Sequence, residues 1–92
     1  MTGYEFEVAA KNALIRLIQE RYGETYGIHE IHLTSLYHIL GSKKCTAIDC
    51  GNNTRYYEVT YNALKDEMYV DMYEKRHNIR IPGKELETTT SE

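Results

Sequence analysis

Apolar residues recur at three- and four-residue steps at the start of the chain, and then the pattern changes to strict alternation. In "MTGYEFEVAAKNALIRLIQERYG", residues 1–23, Phe6, Ala10, Ala13, Leu14 and Leu17 keep the period of a helix with one buried stripe. Thr2 and Glu5 stand ahead of it with capping-box spacing, each placed to satisfy an orphan backbone donor, and Gly23 follows as a left-handed stop. Tyr4, Val8, Ile15 and Tyr22 form a narrower stripe on the opposite side, to be covered by neighbouring chain or by a partner.

Beyond Gly27 the period is two. "IHEIHLTSLYHIL" (28–40) and "KKCTAIDC" (43–50) read as strands joined at Gly41-Ser42, a Gly-X pair suited to a type II′ hairpin. "GNNT" (51–54) is a turn by composition. "RYYEVTYN" and "EMYVDMY" supply the third and fourth strands, linked by "ALKD". Residues 75–81 read as a short extension or a helical turn. The polar residues 82–92 have nothing to bury and read as a disordered tail after a single domain at 1–81. The expected fold is α+β: an N-terminal helix packed on one face of a four-stranded antiparallel meander.

One helix covers one face, so alternation decides which residues stay outside. It sets Tyr57, Val59, Tyr61, Met68, Val70 and Met72 under the helix. Tyr56, Glu58, Thr60, Tyr69, Asp71 and Tyr73 go to the open face, joined there by His32, Thr34 and His38 of the first strand. The chain has nine tyrosines, one phenylalanine and no tryptophan, so its aromatic surface almost always carries a hydroxyl. Such rings pack across strands while their hydroxyls stay hydrated. They are either ordinary solvent-facing strand residues or a contact surface, for which Tyr56, Glu58, Tyr69, Asp71 and Tyr73 are the candidates.

Composition narrows the function classes. The net charge is −3, but Glu85, Glu87 and Glu92 lie in the terminal segment, and residues 1–84 hold eleven acids and eleven bases. Such a balance gives no global attraction to nucleic acid or membrane. A local patch of Lys43, Lys44, Arg55, Arg76 and Arg80 beside the tyrosines would suit a nucleotide or nucleic-acid binder, or else these are solvated rim charges. No apolar run approaches the roughly 20 residues that span a bilayer, and no secretory-signal pattern opens the chain. Cys45 and Cys50 fall on opposite faces of an extended segment, which suits free thiols in the cytoplasm rather than a disulfide.

There is no P-loop, G-x-G-x-x-G, H-E-x-x-H or G-x-S-x-G motif, so the chain does not read as an enzyme and implies no cofactor. His29, His32, His38, Cys45, Asp49 and Cys50 match no common zinc spacing, so no metal site is expected.

From "YYEVTYN" through "DEMYVDMYEK" the sequence resembles a family of small phage and prophage proteins of Gram-positive bacteria without assigned function, and more loosely so over residues 4–81. The resemblance implies a mobile-element origin and the bacterial host cytoplasm as workplace. It transfers no site residues. The expectation is a non-enzymatic binding protein that engages, and in doing so inhibits, a host protein such as a defence or metabolic factor. The alternatives are the nucleotide or nucleic-acid binder and a structural homodimer.

Overall fold

The computed structural model describes residues 1–51, 54–77 and 79–84. Helix α1 spans Gly3–Tyr22, followed by a single 3₁₀ turn at Ile28–Glu30 and the strands β1 (Ile31–Ile39), β2 (Ser42–Asp49), β3 (Arg55–Asn62) and β4 (Glu67–Glu74). The four strands form one antiparallel sheet in the order β1-β2-β3-β4, the expected meander.

Both helix ends are closed as the sequence implies. The Thr2 amide donates to Glu5 Oε1 at 2.7 Å and the Glu5 amide donates to Thr2 Oγ1 at 3.1 Å. At the far end Gly23 adopts φ 71° and its amide donates to Gln19 O at 3.0 Å. The fully buried stripe is Phe6, Ala10, Leu14 and Ile18, a row of four-residue steps, with Ala13 and Leu17 only half-buried beside it. Ile15 and Tyr22 of the second stripe pack against the core, whereas Tyr4 stays exposed.

Beneath the helix lie Cys45 and Ala47 of β2 and Tyr57 and Val59 of β3, with Ile31 of β1, all without solvent exposure. Each large aliphatic side chain buried this way contributes about 1.5–3 kcal/mol. Met68, Val70 and Met72 of β4 point the same way but are only half-buried, because β4 lies at the margin of the helix's cover.

Three local expectations need correction. The first strand starts at Ile31 rather than at residue 28, because the Gly27 amide donates to Glu30 Oε1 at 2.8 Å and folds residues 28–30 into the 3₁₀ turn. The first hairpin turns at Leu40-Gly41, with Ile39 paired to Ser42 and φ values of 51° and 84° at the two central residues. Both positive φ values belong to a type I′ turn rather than the expected type II′, and either type matches the twist of the strands. Ser42 is thereby free to serve β2, and its Oγ accepts from the Ala63 amide at 3.1 Å.

The third correction concerns β1, where Leu33 pairs with Ala47 but Ser35 pairs with Thr46, so Thr34 is an inserted residue. The Thr34 and Ser35 hydroxyls both meet Thr46 Oγ1, at 2.5 and 2.6 Å. A bulge of this kind reverses the parity of everything after it. Leu36 and His38 turn to the helix side, while Ser35, Tyr37 and Ile39 turn to the open side. His38 accordingly lies beside the helix start, where a β-carbon on Gly3 would come within 3.3 Å of its ring.

The described part of residues 75–81 takes neither helix nor strand. Of the expected tail, residues 85–92 lie outside the described residues, as do Asn52 and Asn53 of the expected "GNNT" turn.

Candidate interaction face

The strand register arranges the open face in transverse rows. Tyr37, Lys44, Thr60 and Tyr69 form one row across all four strands, and Ser35, Thr46, Glu58 and Asp71 form the next. Tyr56 is paired directly with Tyr73 one step further along. The five candidate contact residues, Tyr56, Glu58, Tyr69, Asp71 and Tyr73, therefore share one surface on β3 and β4.

The two paired tyrosines stack, with ring centroids 4.7 Å apart and an interplanar angle of 12°. They remain 44% and 38% exposed, so each ring covers the other while leaving area for something else. Tyr69, 46% exposed, donates its hydroxyl to Glu67, and the Tyr73 hydroxyl reaches Glu58 at 3.4 Å. Lys44 Nζ stands 3.6 Å from the same Glu58 carboxylate. The hydroxyls of Tyr69 and Tyr73 hold their protons more tightly than usual. For Tyr69 the main cause is the bond to Glu67; for Tyr73 it is the charge of Glu58, followed by burial and Asp71. At neutral pH both are therefore donors.

Tyr37, Ile39 and Ile48 also join this face and are exposed, and alternation alone gives Ile48 but not the other two. The bulge brings the first two over. Its signal in the sequence is that Leu33 and Leu36, three apart in one strand, cannot both face a core without an inserted residue. Between β1 and β3, Tyr37 and Ile39 border a shallow depression of about 560 Å³, lined also by Lys44, Thr46, Glu58 and Thr60. His32 and Thr34 keep the face expected for them, and His38 does not.

The five candidate basic residues do not gather. Lys44 is on the open face, but Lys43, 7% exposed, is on the helix side and its Nζ donates to Gly41 O at 3.1 Å. Arg55 is 5% exposed and pairs with Glu24, with Asp49 Oδ2 at 3.9 Å. Arg76 and Arg80 are exposed on the segment after β4.

Arg55 instead anchors a polar cluster at the end of the covered face. Its guanidinium lies over the Tyr22 ring, 3.8 Å from the centroid. Tyr57 donates to Asp49 Oδ2 at 2.5 Å, and Tyr26 donates to Glu24 Oε1 at 3.0 Å. The Tyr26 pKa is pushed up to about 12, by burial first and then by that bond, and burial with the Asp49 bond pushes Tyr57 up as well. Gly51 permits the arrangement, because a β-carbon there would fall 2.2 Å from the Tyr26 hydroxyl. The cluster is packed and mostly paired within itself, although Arg55 Nε is buried without a hydrogen-bond partner among the described residues, so it reads as structure rather than as an open site.

Among the described residues no group of three His, Cys, Asp or Glu side chains could hold a metal ion. Cys45 is buried and Cys50 exposed, and both are free thiols. No helix among the described residues is long and apolar enough to cross a membrane.

Fold and face together define a helix-covered antiparallel sheet whose second side is open and rich in tyrosine. A family model described as a family of unknown function, DUF6275, matches residues 7–83, and the chain belongs to that family. No curated protein and no solved structure matches it.

Proposed function

We propose that this chain is a non-enzymatic binding protein of phage or prophage origin that works in the cytoplasm of a Gram-positive host, where it engages and inhibits a host protein through the open sheet face. The observation that carries this reading is the Tyr56 and Tyr73 stack, ordered at 4.7 Å yet more than a third exposed. Rings held in place before binding contribute contact area with little further loss of side-chain freedom. The origin and the compartment rest on the resemblance of the β3 and β4 sequence, and the free thiols suit a reducing compartment.

A nucleotide or nucleic-acid binder draws less support, since Lys43 and Arg55 are engaged on the covered side. Nothing specific favours a structural homodimer, and solution mass across a dilution series checks for one.

The test is affinity capture from lysate of a Gram-positive host, with and without nuclease, at low and moderate salt. The expected result is a discrete host protein that survives both treatments and is lost with the Tyr56→Ala, Tyr69→Ala double variant. Recovery of nucleic acid that washes off with salt, or unchanged capture by the double variant, overturns the proposal.

A further inference from the structure

We infer that the surface this open face accepts is a basic, arginine-bearing protein patch with an apolar side chain beside the arginine. The inference rests on the reading of this face as the binding surface and adds the chemistry of what it binds.

Glu58 and Asp71 are directly opposed across β3 and β4, an arrangement of like charges that destabilises a strand pair. Lys44 offsets Glu58 at 3.6 Å, but Asp71 has no hydrogen bond or ion pair among the described residues. Among the strand residues of the open face the carboxylates Glu58, Glu67 and Asp71 stand against the ammonium of Lys44, leaving a negative surface. An acidic or phosphate-bearing partner would be repelled by it, and a basic one attracted.

The rings determine which base fits. The opposed carboxylates are flanked by the Tyr56 and Tyr73 stack on one side and by Tyr69 on the other. A guanidinium is planar, lies flat on a tyrosine ring and still gives two parallel hydrogen bonds to a carboxylate, whereas an ammonium does only the second as a point charge. The covered side of this molecule uses the same combination, with the Arg55 guanidinium over Tyr22 and paired with Glu24. On the open side the tyrosines and carboxylates are present and the guanidinium is left for the partner to supply.

The depression bordered by Tyr37 and Ile39 supplies the second half of the specificity. Asp71 on β4 is two strand spacings from the β2 floor of that depression, or about 10 Å. A partner that seats an apolar side chain there can thus place an arginine over Tyr73 and Asp71 from the same patch.

The experiment is an NMR titration of the full chain with a short blocked peptide mixing arginine and leucine, run at physiological salt. Two control peptides replace arginine by glutamate, or leucine by alanine. The expected result is shift changes at Tyr37, Ile39 and the β3 and β4 residues with the first peptide and none with the glutamate form. Affinity should fall about tenfold or more with Glu58→Gln and Asp71→Asn combined, and also with the alanine form. Equal binding of the glutamate form at the same residues overturns the charge inference while leaving the open face as the binding surface. Shift changes confined to the helix, or no changes at all with the arginine peptide, overturn the inference as well. The separate host-protein capture with the tyrosine variant then decides whether the open-face reading also fails.

Discussion

Tyr56 and Tyr57 are neighbours in the chain and opposite in situation. Tyr57 has no solvent exposure and gives its hydroxyl to the buried Asp49 carboxylate, whereas Tyr56 is 44% exposed and lies against Tyr73. The two sides of one sheet thus use the same residue type for different ends. On the covered side the phenol closes a polar network that a missing hydrogen bond would leave charged and dry. On the open side the ring offers area, and the hydroxyl keeps that area wettable.

If the covered side carries the stability, its polar cluster should be the place where single changes do most damage. Arg55→Met leaves Glu24 and Asp49 without their shared cation and should lower the unfolding free energy by about 3–5 kcal/mol in a urea titration. Tyr57→Phe keeps the ring but removes the donor to Asp49, with an expected loss of about 1–3 kcal/mol.

The same cluster should show itself at high pH. Tyr26 in the folded protein keeps its proton up to about pH 12, against an ordinary value of 10.0. Between those values the unfolded chain has already lost that proton, so the stabilisation is complete below pH 10 and disappears as pH rises toward 12. Urea midpoints measured across this window should fall, and Tyr26→Phe should make the fall shallower.

The open side should respond more weakly. A double-mutant cycle on Tyr56→Ala and Tyr73→Ala should give a coupling of about 0.5–1 kcal/mol, the value of an aromatic cross-strand pair. Tyr69→Phe, which loses only a solvent-side bond to Glu67, should stay within about 0.5 kcal/mol of the parent. A larger loss at Tyr69 than at Tyr57 would erase the distinction between the faces.

The faces of β3 and β4 were legible from alternation, since the two strands pair residue for residue without a register shift. The helix was legible for a similar reason: its caps and its stripe agree. What escaped was whatever depends on a single inserted residue. Thr34 adds one position to β1, and with it His38, Tyr37 and Ile39 change sides. Leu40 takes a left-handed conformation that its side chain disfavours by about 1–2 kcal/mol, so its propensity hides the turn that Gly41 helps to make. Arg55 resembles the surface bases in sequence because charge is visible there, whereas its burial follows from Glu24, Asp49 and Tyr22 converging from distant segments.

On the proposed reading, folding depends on the covered side and recognition on the open one. The most direct measurement is the dissociation constant of the captured host protein for two variants, Tyr56→Ala with Tyr69→Ala on the open side and Val59→Ala on the covered side. The open-side variant should lose about a hundredfold in affinity. Val59→Ala, although less stable, should bind as the parent does. Equal affinity for both variants, or a loss confined to Val59→Ala, would contradict it.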